Sequence, residues 1–200
     1  MTVPPHPPAE TGTSPLLVAK RHDAPSVFRP EALLREARRQ KGLDPTPVPP
    51  VCLLDPDGDI VRHLRARSLA RRHDGWACYH SEMVVFEQPG VGAVGAVACA
   101  VGAPYAVLVA EQAFASGCRL LVSITSSGRL SDGLPAQPHF MLIRRALRDE
   151  GTSHHYLPPS AFAEAPLPGL LDRVAERLSA EAPTLTVLEG ATWTTDAPFR

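Results

Sequence analysis

The feature that most constrains the fold is the stretch VGAVGAVACAVGAPYAVLVAEQAFASGCRLLVSITSSG, from Val91 to Gly128. Its first part, AVGAVACAV, is a near-continuous apolar run of strand length. GAPYAVLVAEQAFASG then reads as a helix opened near Pro104 and closed at Gly117, and RLLVSITSSG as a second buried strand ending in small polar residues. A strand, helix and strand of these lengths form a β-α-β unit, which implies a parallel strand pair joined by a right-handed crossover. The run from Val91 to Ala110 is long enough for a membrane span, but its glycines, its central Pro104 and its division into strand-like and helix-like halves argue against one.

The flanking sequence extends the same alternation. FRPEALLREARRQKGL is helical, with Pro30 in the first turn, Leu33, Leu34 and Ala37 at helical spacing and Gly42 as the stop. PTPVPP is an extended connector. VCLLDPDGDIVRHL predicts a buried strand, a turn at Asp55-Pro56-Asp57-Gly58 and a helix start. ACYHSEMVVFE is strand material, followed by a turn at Gln88-Pro89-Gly90. HFMLIRRAL is a further strand, GLLDRVAERLSA an amphipathic helix with Leu170, Leu171, Val174 and Leu178 on one side, and TLTVLEGATWTT a late strand. The expectation is an α/β domain over residues 26–200, preceded by a disordered or loosely held tail over residues 1–25.

Charge excludes some functions. Lys and Arg number 20 against 21 Asp and Glu, so there is no basic footprint for nucleic acid or an anionic membrane. The 4 cysteines, Cys52, Cys78, Cys99 and Cys118, form no C-x-x-C pair and read as reduced thiols. No basic stretch followed by an apolar one opens the chain, so the expected location is cytoplasmic.

Ligands of open α/β sheets gather beyond the carboxyl ends of the strands. Three predicted strands end in small polar or turn-forming groups: Asp55-Pro56, Ser126-Ser127-Gly128 and Thr194-Thr195-Asp196. The stretch ALRDEGTSHHYLPPS, residues 146–160, adds two adjacent histidines. Neighbouring strand residues face opposite ways and no H-E-x-x-H or C-x-x-C accompanies them, so no metal site is expected. No G-x-S-x-G elbow, phosphate-binding P-loop or G-x-G-x-x-G fingerprint is present.

Taken in order, GAPYAVLVAEQAFASGCRLLVSITSSGRL, LRDEGTSHHYLPP and ATWTTDAPFR resemble the nucleoside phosphorylase family, specifically its uridine phosphorylase-like branch, from about Val51 to Arg200. The resemblance implies a three-layer α/β/α sandwich with a mixed central sheet, in a homo-oligomer built from dimers as a trimer or hexamer. It implies cleavage of a nucleoside N-glycosidic bond by phosphate, giving free base and ribose 1-phosphate. Phosphate is then a co-substrate, and no cofactor is implied. By the same resemblance Ser126, Ser127 and Gly128 would sit against phosphate, ribose and base, with Ser126 and Arg129 on phosphate. Thr152, Ser153 and His155 would be polar pocket residues, and Phe199, with Arg200 beside it, would lie on the base face. Asp196 would fix its loop rather than touch substrate.

Departures from the family pattern are specific. Where the family has Gly-Asp-Pro-x-Arg this chain has Leu54-Asp55-Pro56-Asp57-Gly58, and where the family has an arginine before the hydroxyl step it has Ser123. Two guanidinium clamps for a phosphate dianion are thereby replaced, with Arg62 and Arg129 near in sequence as substitutes. The family's later Met-Glu segment, which binds the ribose hydroxyls, has no counterpart before Arg200, so a C-terminally incomplete domain is expected. Two further readings stay open: a nucleosidase with water as nucleophile, and a non-catalytic nucleoside-binding module.

Overall fold

In the computed structural model, which describes residues 14, 17–18, 20–135 and 138–200, the apolar runs become strands and helices. Most of the tail expected over residues 1–25 lies outside the described residues. The rest divides into two compact units, one of Pro25–Leu134 and one of Pro135–Arg200 with the described residues up to Ala24.

In the first unit five strands form one mixed sheet: β1 (Val51–Asp55), β2 (Ala70–Arg72), β3 (Met83–Gln88), β4 (Gly92–Ala98) and β5 (Leu120–Ser123), in the order β2-β3-β4-β1-β5. β4 and β5 are parallel, as the β-α-β pattern requires, but they are not neighbours, because β1 lies between them and pairs with both. The reason is burial. Cys52, Leu53, Leu54 and Asp55 of β1 are all buried, so both edges of this strand need ladder partners, whereas β5 is half exposed and suits the sheet edge.

Side-chain alternation sorts the sheet into two packed faces. Cys52, Leu54, Met83 and Val97 point one way and pack with Val109 and Ala113 of helix α3 (Ala103–Ala115). Leu53, Val84 and Ala96 point the other way, against Val61 of helix α2 (Asp59–Ala66). Helix α1 (Pro30–Lys41) adds Leu34 and Ala37 around Ala77, beside Ala115 of α3. This unit is therefore an α/β/α arrangement. Gly95 of β4 is held small by its neighbours, since an added Cβ would come within 2.9 Å of Met83 Sδ and 3.0 Å of Cys52 Sγ.

Two differences from the expectation have local causes. Only Met83–Gln88 of the ACYHSEMVVFE stretch is strand. The residues before it form a loop, buried at Ala77 and Cys78 and exposed at Tyr79 and His80, whose carbonyls accept from side chains instead of a ladder: Lys41 Nζ donates to Ala77 O at 3.0 Å and Cys78 O at 2.7 Å, and Tyr105 Oη to His80 O at 2.6 Å. β2 was not legible because its sequence, Ala-Arg-Arg, carries no apolar alternation.

In the second unit, β6 (Phe140–Asp149) is central, antiparallel to β7 (Phe162–Glu164) and parallel to β8 (Val187–Thr195), and the order is β7-β6-β8. Helix α4 (Pro168–Glu181), with proline in its first turn, lies in the crossover from β6 to β8. Arg144 of β6 links the layers, pairing with Glu189 of β8 at 2.7 Å and Asp172 of α4 at 2.8 Å.

Two predictions follow from the packing. Gly58 has φ of +76°, and a Cβ there would lie 2.9 Å from Cys99 Sγ. Gly58→Ala is expected to lower unfolding stability by about 2 kcal/mol in urea titrations. The Cys52 thiol is pushed up to about 12 by burial and by the neighbouring Cys118, and Cys78 and Cys118 are also buried, whereas Cys99 is exposed. Iodoacetamide at neutral pH should add to Cys99 alone in the folded protein and to all four thiols in denaturant, read by mass spectrometry.

Candidate functional site

The turn after β1 is organised by one carboxylate. Asp55 is 1% exposed. Its Oδ1 accepts the Gly58 N–H at 3.1 Å and its Oδ2 the Val61 N–H at 2.9 Å, so it caps helix α2 from outside the helix. Its main-chain oxygen accepts from Gly58 at 3.0 Å and Cys99 at 2.8 Å. With Asp55 turned inward, Asp57 is left on the surface at the carboxyl end of the strand.

The chain leaving β5 runs alongside, held by an Ile124 N–H to Leu54 O bond of 3.0 Å. This brings the next two residues onto Asp57. The carboxylate of Asp57 accepts the Ser126 backbone N–H, the Ser126 hydroxyl at 3.1 Å and the Thr125 hydroxyl at 3.3 Å. The Ser126 N–H is the largest influence holding the Asp57 carboxyl below its ordinary value; the two hydroxyls add to it against a partial desolvation that pushes the other way. Three donors thus converge on one anion.

The neighbouring residues do not share this convergence. Ser127 and Gly128 are exposed on the same loop. Arg129 folds back on its own turn, donating from Nε to Ser131 O at 2.9 Å and from Nη2 to Asp132 O at 2.8 Å. Arg62 is paired with Asp59.

The other unit builds its strand-end loop around Arg148, which is 8% exposed. Its guanidinium donates to Ser153 Oγ (2.9 Å), Pro158 O (2.5 Å), Ser160 Oγ (2.8 Å) and Leu157 O (3.0 Å), and meets His154 Nδ1 at 3.2 Å. A fixed fork of charged donors suits this task, because it satisfies several loop carbonyls from one point. Glu150 accepts the Ser153 N–H at 3.0 Å and closes the short 3-10 turn Thr152–His155. Burial pushes the Glu150 carboxyl up, but the Ser153 hydroxyl and the Ser153 and Thr152 N–H groups bring it below its ordinary value. Gly151 has φ of −76°, so the turn there does not need glycine's freedom; the residue instead gives its N–H to Asp196 Oδ2 at 2.8 Å. Asp196 thus ties the loop after β8 to the loop after β6, and Trp193 Nε1 adds a 2.9 Å bond to Asp149.

The sequence-predicted residues fall into two groups. Ser126, Ser127, Gly128 and Arg129 lie in the first unit, and Thr152, Ser153, His155, Phe199 and Arg200 in the second. In the second group Ser153 is committed to Arg148 and Glu150, and Thr152 is half-buried. His155 is exposed with its Nδ1 2.6 Å from Lys20 Nζ, while Phe199 is 98% exposed and Arg200 is also exposed. Asp57 and Thr125 were missed. Asp57 sat in plain view in Asp-Pro-Asp-Gly, but a turn already accounts for an aspartate there. Among the described residues no group of three or more His, Cys, Asp or Glu could hold a metal ion, and no helix is long and apolar enough to cross a membrane.

The model of the phosphorylase superfamily matches residues 32–200. The fold is similar to that of uridine phosphorylase from Vibrio fischeri, with a TM-score of 0.63 and 19% identity over 79% of this chain and 64% of that one. It is similar also to purine nucleoside phosphorylase from Toxoplasma gondii, solved with immucillin-H, with a TM-score of 0.64 and 14% identity over 79% and 62% of the two chains. The chain therefore spans less than two thirds of the length of either. No curated protein matches it in sequence.

The Asp57 contacts are open to a direct test. A carboxylate whose value is depressed on folding keeps its bonds above the ordinary aspartate range and loses them only as pH falls through the lower, folded value. The Ser126 amide resonance should therefore titrate with a midpoint below the ordinary aspartate value, and should stay flat in Asp57→Asn.

Proposed function

The chain belongs to the phosphorylase superfamily, and from that premise we propose that it cleaves the N-glycosidic bond of a nucleoside with phosphate, giving free base and ribose 1-phosphate. The observation that carries this reading is the convergence of the Ser126 N–H, Ser126 hydroxyl and Thr125 hydroxyl on one carboxylate at the carboxyl end of the sheet. Such a set of donors is an anion cradle, and the attacking group of this reaction is an anion.

The chemistry requires little else of the protein. The base leaves with the electron pair of the bond to C1′, which becomes electron-poor and oxocarbenium-like, and a phosphate oxygen supplies the new bond to C1′. No redox step occurs, so the reaction as proposed needs no cofactor or metal. On this reading Ser126, with Arg129 once it is released from its loop carbonyls, holds phosphate. Ser127 and Gly128, exposed on the same loop, serve the nucleoside. The homo-oligomeric assembly and the cytoplasmic location belong to the same proposal.

A second reading, hydrolysis by water, is favoured by one observation. The cradle already carries Asp57, and the positions aligned with the family's phosphate arginines are Gly58 and Ser123. Purine and pyrimidine nucleosides incubated with the full chain, with and without phosphate, separate the two readings by chromatography of the free base. Phosphate-dependent release is expected, with Ser126→Ala lowering it about tenfold to a hundredfold through loss of one bond to a charged group. Equal release without phosphate would establish the hydrolytic reading, and no release from any nucleoside would overturn both.

A further inference from the structure

We propose that Asp57 is a built-in competitor for the anion cradle, so that phosphate enters only when the Asp57 carboxylate leaves, and that this residue thereby sets the site's preference between phosphate and a neutral nucleophile. The inference rests on the reading that the Thr125–Ser126 cradle is the phosphate position.

Three observations carry it. First, the donors are already used: the Ser126 N–H and both hydroxyls go to Asp57. A dianion brought to the same donors would meet a carboxylate of like charge at contact distance. Second, Asp57 is not what holds its own turn. The turn and the start of α2 are held by Asp55, through its side chain and its main-chain oxygen, while the bonds of Asp57 run to the opposite loop. Third, among the described residues the guanidiniums nearest in sequence are already engaged. Arg62 is engaged with Asp59 and Arg129 with the carbonyls of Ser131 and Asp132.

Displacement makes the observed affinity for phosphate the intrinsic affinity multiplied by the fraction of molecules with the carboxylate swung away. Water carries no charge and needs no displacement. It can hydrogen-bond to Asp57 where it stands, so the closed form handicaps phosphate and leaves water unaffected.

The test is calorimetric titration of the full chain with inorganic phosphate, which needs no turnover. Asp57→Ala should bind phosphate about tenfold tighter than the unmodified chain or better, and Asp57→Asn, which keeps the shape and loses the charge, should also gain. Adding Ser126→Ala to Asp57→Ala should remove most of the gain, which places it at the cradle. Glu87→Ala removes an equal exposed charge from β3 of the same unit and should gain little, and circular dichroism checks the fold of each variant. Equal affinity in the unmodified chain and both Asp57 variants would overturn the proposal. So would absence of phosphate binding in all of them, or an equal gain from Glu87→Ala. Nucleoside cleavage, measured separately, decides the reaction itself: a chain that cleaves nothing yet gains phosphate affinity on loss of Asp57 would refute the function and keep the competitor.

Discussion

The buried carboxylate of Asp55 is the point on which the first unit turns. It ends the central strand, starts helix α2 by taking the N–H groups of Gly58 and Val61, and through its main-chain oxygen accepts from Cys99 just past the end of β4. A buried polar group is tolerated only where hydrogen bonds replace its lost water, and here helix-terminal N–H groups do so. One residue thus fixes the strand end, the helix direction and the neighbouring loop together. The direction in which Asp57 leaves the sheet, and so its meeting with Ser126, follows from that arrangement.

Much of the frame was legible because it rests on local rules. Helix α1 begins at Pro30 and stops where Gly42 adopts φ of +62°, and both ends can be read from residue type alone. The apolar strands and the polar strand ends were equally visible. Strand order was not, because the insertion of β1 between β4 and β5 depends on which strand needs two covered edges, a property of the assembled sheet. The loop at Ala77–His80 was misread as strand because its carbonyls are satisfied by Lys41 and Tyr105, which lie far away in sequence. Asp57 escaped notice for the same reason, since its partner stands 69 residues along the chain.

A common solution recurs at the strand ends of both units. Ser126 gives its N–H to Asp57, Ser153 gives its own to Glu150, and Gly151 gives its own to Asp196. Each is an exposed or half-buried donor suited to an anion, and each is satisfied by a carboxylate of the same unit. Two of these three carboxylates, Asp57 and Glu150, are held below their ordinary values by their donors, so these bonds persist as ion-to-dipole contacts at neutral pH. In each case backbone or hydroxyl donors at a strand end close around a carboxylate of the chain itself.

Gly58 also limits how this turn can change. Its backbone lies in the left-handed region with φ of +76°, and Cys99 Sγ closes the space above it. Any side chain placed there would meet both a conformational and a steric penalty. A larger residue at this position would therefore need the Asp55–Gly58 turn and the chain around Cys99 to change together, so the turn is locked to its neighbour as well as to its own sequence.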